Sequence, residues 1–167
     1  MVTKVIEETR SERLAPTPDT VFRKNPTARL AMALILDKSG SMAGTPIQDV
    51  NMGYQNFVKL LKADTLARNR IDASIILVGN GMTVHQENVK VDDLDCSTLE
   101  ADGDTPQGKS ILTTLKITEA QKRYYKSNGI DYIQPVVVCL TDGEPTDQPQ
   151  VFEEAMNQLL MFEAQNK

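Results

Sequence analysis

The chain has 167 residues, 40% of them hydrophobic and 25% charged, enough for one folded domain with a sizeable core and too apolar for a disordered polymer. Its net charge of -5 disfavours a sequence-independent grip on nucleic acid or on an acidic membrane surface. No apolar run approaches membrane-spanning length, the N-terminal MVTKVIEETRSER lacks a secretory apolar region, and two cysteines with one histidine leave little for a disulfide framework, a zinc site or a histidine-based triad. A cytoplasmic protein in a reducing interior is expected.

Residues 1–28, punctuated by Pro16, Pro18 and Pro26, are expected to form an N-terminal arm, partly disordered or packed on the domain through Val21 and Phe22. One domain then occupies residues 29–167. It opens with LAMALILD, residues 30–37, a continuous apolar run that predicts a strand buried on both faces. The loop DKSGSMAGT follows. Thr45, Pro46 and Gln48 then spell a helix start, with Thr45 as N-cap and Gln48 closing a capping box. Behind them Ile47, Val50, Tyr54, Phe57, Val58 and Leu61 recur at helical spacing. IDASIILV, residues 71–78, predicts a second strand. After the turn Gly79-Asn80-Gly81, the more polar MTVHQENVKV, residues 82–91, predicts an antiparallel edge strand. The acidic, irregular DDLDCSTLEADGD leads into GDTPQGKS and a helix from about Gly108 to Ser127, closed by Asn128-Gly129. A fourth strand over residues 135–141, read as buried, ends beside Asp142, and Val151, Phe152, Ala155, Met156, Leu159 and Leu160 mark a closing amphipathic helix.

Strands alternate with helices, so the expected class is α/β: a doubly wound, Rossmann-like and mainly parallel sheet with one antiparallel edge strand and helices on both faces. Ligands of such sheets bind at the carboxyl ends of the strands, where Asp37 and Asp142 both sit. In DKSGS, an acid and two hydroxyls alternate as Asp37, Ser39 and Ser41, and Gly40 permits the loop to curl tightly. Oxygen ligands of this kind suit a hard divalent ion such as Mg²⁺. Asp142 can add a second carboxylate, directly or through water, and Thr105 a further hydroxyl. Serines after a strand are ordinarily loop or cap residues, and a T-D-G end is ordinarily a turn. Their combination, each piece after the correct element, carries the signal.

D-x-S-x-S (Asp37, Ser39, Ser41), the separate Thr105 and the strand end Thr141-Asp142-Gly143 resemble a von Willebrand factor A (VWA) domain with its metal-ion-dependent adhesion site (MIDAS). The resemblance covers roughly residues 29–165, and DKSGSMAGTPI and CLTDGEPTD look most like the bacterial TerY-type proteins of tellurium resistance and stress response. It implies Mg²⁺, or another divalent cation such as Mn²⁺ or Ca²⁺, held by Asp37, Ser39, Ser41, Thr105 and Asp142. The serines and Thr105 would coordinate directly and the two aspartates often through water. It further implies a non-enzymatic protein-binding module, in a bacterial or phage stress-response assembly, whose partner offers an acidic side chain to the metal. A full domain of that family continues to roughly six strands, whereas four are expected here. The chain is therefore expected to be a fragment or a C-terminally shortened domain, its last strand open to pairing with another chain or with the arm.

The competing class is an Mg-dependent nucleotide-binding or phosphoryl-transfer enzyme, because GDTPQGKS, residues 103–110, fits G-x-x-x-x-G-K-[ST]. That loop needs a buried strand directly before its first glycine, and CSTLEAD supplies none; Asp102 and Asp104 would also crowd a triphosphate. A phosphatase using Asp37 as nucleophile ranks lower still, since Ser39 stands where that chemistry wants a second acid. Glu144 and Asp147 are expected to be exposed loop acids, His85 a surface residue, Lys38 solvent-directed and Tyr124-Tyr125 packing residues.

Overall fold

The computed structural model describes residues 27–165; the arm expected over residues 1–28 therefore lies, up to residue 26, outside the described residues. Four strands, β1 (Leu30–Asp37), β2 (Ile71–Val78), β3 (Met82–Lys90) and β4 (Val136–Leu140), form one sheet in the order β3-β2-β1-β4. β1 runs parallel to both β2 and β4, while β3 is antiparallel to β2. The helices are α1 (Thr45–Ala63), α2 (Thr65–Arg70), α3 (Gln107–Ser127) and α4 (Pro149–Gln165). Side chains alternate across a strand, so the apolar run of β1 feeds two cores at once. Met32, Leu34 and Leu36 pack with Ile47, Tyr54 and Val58 of α1, whereas Ala33 and Ile35 pack with Ile111 and Leu115 of α3 and Phe162 of α4. The molecule is thus the doubly wound, mainly parallel sheet with one antiparallel edge that the sequence predicts.

Several local features depart from expectation. The N-cap of α1 is Gly44 at φ 92°, and Thr45 is already helical. A glycine has no side chain to offer, so the capping box does not form. α2 was not anticipated, although its signal is visible: the Asp64 carboxylate accepts from the amides of Leu66 at 2.7 Å and Ala67 at 3.0 Å. The inward face of α3 carries buried hydroxyls, Ser110, Thr114 and Thr118, beside its apolar residues. Thr114 Oγ1 donates to Ser110 O at 2.7 Å and Thr118 Oγ1 to Thr114 O at 2.8 Å, so the helix itself satisfies the groups it buries. β4, read from its composition as buried, is largely exposed because it lies at the sheet edge with only β1 beside it among the described residues.

At the amino ends of the strands, Arg29, Asp72 and Tyr125 are 4%, 2% and 0% exposed. The Arg29 guanidinium grips Asp72 through two nitrogens, Nε donating at 3.1 Å, and Tyr125 OH donates to Asp72 Oδ2 at 2.5 Å. The Tyr125 ring stacks on Tyr132, with centroids 5.8 Å apart. Arg29 N donates to Asp131 O and Ile133 N to Arg29 O, which ties the approach to β4 onto the start of β1. Three elements are pinned by one buried carboxylate.

Removing that carboxylate takes away the charged partner of a buried guanidinium and leaves it the bond to Asn69 O, so Asp72→Ala should lower the unfolding free energy by about 3–5 kcal/mol in denaturant titrations. The Tyr125 hydroxyl is pushed well above its ordinary range, first by burial and then by the Asp72 charge, and burial with the nearby Cys96 and Asp95 does the same to Tyr54. Both phenols stay neutral in the fold but ionise near pH 10 once unfolded. Their contribution is therefore complete below pH 10 and is lost as pH climbs toward the folded values. Alkaline unfolding monitored by circular dichroism should shift in Tyr125→Phe, whose slope above pH 10 flattens.

Candidate metal centre

The site is assembled by three loops at the carboxyl ends of β1 and β4. Asp37, the last residue of β1, is 1% exposed. Its Oδ1 accepts from the Ser39 amide at 2.8 Å, a local bond that curls the loop back over the strand end. Its Oδ2 accepts from the Thr141 hydroxyl at 2.6 Å, which joins β1 to the residue after β4. The curl brings the Ser39 and Ser41 hydroxyls to 3.1 Å from one another, and Ser41 Oγ donates to Asp142 Oδ1 at 3.2 Å. Ser39 is buried, while Ser41 and Asp142 face solvent.

Thr105 comes from the loop before α3 and is buried. Gly143 reveals the space it shares with the others. A β-carbon there would lie 3.3 Å from Ser41 Oγ, 3.6 Å from Thr105 Oγ1 and 3.8 Å from Asp37 Oδ2. Oxygens from three separate segments thus border one small gap, which glycine leaves open. All five residues singled out by sequence meet here: Asp37, Ser39, Ser41 and Asp142 through hydrogen bonds, Thr105 across the gap. Among the described residues, no Lys or Arg side chain pairs with Asp37 or Asp142. Nor do three His, Cys, Asp or Glu side chains gather anywhere among them. Two carboxylates and three hydroxyls make an oxygen-only donor set that suits a hard cation such as Mg²⁺ and does not suit zinc.

Backbone contacts hold the third loop against the first. Gly40 N donates to Gly103 O at 2.9 Å and Asp102 N to Lys38 O at 2.7 Å. Thr105 N donates to Thr146 Oγ1 at 3.0 Å, and Thr146 N returns a bond to Thr105 O at 2.9 Å. Gly103 has φ 78°, and a β-carbon on it would fall 2.1 Å from Asn80 N. Only glycine allows the turn between β2 and β3 to press this close.

The polar groups of the nucleotide-like loop are engaged within the chain. No strand precedes Gly103 between residues 94 and 102. The Gly108 and Lys109 amides, which would face a phosphate, donate instead to the Asp147 carboxylate at 2.7 and 3.2 Å. Ser110 is fully buried, its hydroxyl donating to Gln107 O at 2.7 Å. A β-carbon on Gly108 would sit 3.0 Å from Phe152 Cα, so this glycine serves the close approach of α4 to α3. Asp147, expected to be an idle loop acid, is the cap of α3. Thr141 and Thr146 were likewise not assigned roles, although both lie in the quoted stretch CLTDGEPTD. Lys38 is half-buried, with Nζ 3.4 Å from Glu100 O, and His85 is an exposed residue paired with Asp95 at 3.1 Å.

No family model matches the chain, and no curated protein matches it in sequence. Among solved structures, it is similar to proximal thread matrix protein 1 from the mussel byssus, with TM-score 0.51 and 13% identity over 80% of this chain and 35% of that one. It is also similar to the ArnB paralog VWA2 from Sulfolobus acidocaldarius, with TM-score 0.49 and 19% identity over 72% of this chain and 29% of that one. The chain therefore spans about a third of the length of these structures. The likeness to the mussel protein is one of fold, in keeping with the doubly wound sheet.

Asp147→Ala strips two amides of their acceptor and should cost about 1 kcal/mol of stability by denaturant midpoint. Gly103→Ala forces a positive φ and a backbone overlap and should cost at least about 1–3 kcal/mol, whereas the exposed His85→Ala should stay within about 0.5 kcal/mol.

Proposed function

We propose that this chain is a metal-dependent protein-binding module of the von Willebrand factor A type, a recognition element and not an enzyme. The observation that carries the proposal is the gap beneath Gly143, bordered by oxygens of Ser41, Thr105 and Asp37 from three separate loops. Ser39, Ser41 and Thr105 would hold Mg²⁺, Mn²⁺ or Ca²⁺ through their hydroxyls, with Asp37 and Asp142 contributing carboxylates directly or through water. Once bound, the cation would supply an electrophilic centre for an acidic side chain of a partner protein.

The chain's own residues prepare for this. The Ser39 amide and the Thr141 hydroxyl each donate to one oxygen of Asp37, so the buried carboxylate is held in a fixed orientation. Ser41 and Asp142, both exposed, leave the outer side open to a large partner. With the carboxylates acting through water and only neutral hydroxyls in direct contact, the divalent ion would retain attraction for a further carboxylate. The resemblance of DKSGSMAGTPI and CLTDGEPTD to TerY-type proteins points to a stress-response or tellurium-resistance assembly. No helix among the described residues is long and apolar enough to cross a membrane. The nucleotide alternative draws support only from the residue pattern, because Asp147 takes the amides that phosphates would need.

Titration calorimetry should show Mg²⁺ binding that Asp37→Ala, Ser39→Ala and Thr105→Ala abolish and Lys109→Ala leaves intact, with no heat from ATP. Tight ATP binding lost in Lys109→Ala would sink the proposal. Pull-down of a protein partner should depend on Mg²⁺ and fail in the presence of chelator.

A further inference from the structure

Asp104 directly precedes Thr105 and is exposed, yet its carboxylate is engaged: Oδ1 accepts from the Gly81 amide at 2.7 Å. Gly81 closes the turn between β2 and β3, so this bond joins the third loop to a turn that contributes no ligand. The joint is close. A β-carbon on Gly79, at φ 144°, would lie 2.7 Å from Asp102 O and 2.8 Å from Lys38 O, so the turn touches the first and third loops together. Lys38 N also donates to Val78 O at 2.6 Å, and Gly79 N to Gly81 O at 2.9 Å. Turn and loops form one backbone network, to which Asp104 adds a charge-assisted bond. Thr105 depends on such support. Its hydroxyl takes part in no hydrogen bond among the described residues, so backbone and packing decide where Oγ1 sits. On the downstream side Thr105 is held by its two bonds with Thr146. On the upstream side the fixed points are Gly103 O, which accepts from Gly40 N, and the Asp104 carboxylate.

We propose that Asp104 is a positioning residue for the cation centre: its carboxylate pins the Thr105 loop to the turn between β2 and β3 and thereby sets how well Oγ1 meets the ion. The role rests on the metal reading above. A group that orients a ligand from behind tunes affinity without touching the ion. Asp104 acts through the Gly81 amide and not through its charge, so an amide oxygen can stand in for the carboxylate. By reciprocity, an ion held at Thr105 also holds the turn.

In titration calorimetry, Asp104→Ala should weaken Mg²⁺ binding about tenfold, with an unchanged circular dichroism spectrum. Asp104→Asn, which keeps an acceptor for Gly81 and removes the charge, should stay within about threefold of wild type. Hydrogen exchange supplies a metal-free arm. The Gly40 and Asp102 amides, bonded across the same loops, should exchange at least about tenfold faster in Asp104→Ala, with the amides of β1 and β2 unchanged. In the wild type, Mg²⁺ should slow exchange at Gly81. Equal losses of affinity in Asp104→Ala and Asp104→Asn would mean that charge alone matters and would overturn the role. So would an Asp104→Ala affinity equal to wild type, loop amides that ignore the substitution, or a Gly81 amide that ignores Mg²⁺. A wild-type chain that takes up no Mg²⁺ would overturn the metal reading, and this role with it, whatever the loop amides do.

Discussion

A carboxylate buried at the end of the central strand must have its lone pairs answered, and much of the upper half of this fold follows from that need. Asp37 is answered from two directions, by the amide of its own loop and by a hydroxyl 104 residues further along the chain. The first bond curls the loop that carries Ser39 and Ser41; the second fixes where β4 must end. With both loops set, the segment before α3 has one way to close over them, through amide–carbonyl bonds to Lys38 and Gly40 partners and through a glycine with positive φ. The arrangement is ordered by backbone and by one carboxylate before any ligand is considered, which is how a recognition site avoids an ordering cost on binding.

The opposite end of the sheet uses the same device for a different purpose. Asp72 is also a buried carboxylate, yet it is paired by a guanidinium and a phenol and offers no open side. One acid is neutralised inside the protein and closes a core; the other has only neutral donors and faces a gap. The contrast in partners, more than the burial that both share, separates a structural carboxylate from one suited to a cation.

Much of this was legible in the sequence, and the exceptions have physical reasons. The strands over residues 30–37 and 71–78 are legible because continuous apolar runs serve two cores. Asp37, Ser39, Ser41, Thr105 and Asp142 are legible because spacing and strand-end position are properties of the chain itself. Asp147 and Thr141 are less so, since their partners lie 38–39 and 104 residues away and nothing local marks an acid as a remote helix cap. The Arg29–Asp72–Tyr125 cluster is hidden for the same reason: an aspartate at the second position of an apolar strand shows its role only when the other two arrive. GDTPQGKS is the reverse case, its nucleotide-like pattern already discounted in the sequence because no strand precedes Gly103. Its glycines serve close packing and its lysine and serine simply begin a helix, so a pattern of residue types coincided with a function that the contacts do not share.

The bond between Thr141 and Asp37 has a further consequence. Half of the candidate site hangs from β4, a five-residue strand that has only β1 beside it among the described residues and is poorly buried, the part of a sheet that opens first in local fluctuations. When β4 frays, Thr141 and Asp142 leave together and the centre comes apart; when something draws Asp142 toward the first loop, β4 is held in its ladder. Were the proposed cation bound, its affinity and the persistence of this strand would be one equilibrium seen from its two ends, and occupancy at the loops would register as order along β4.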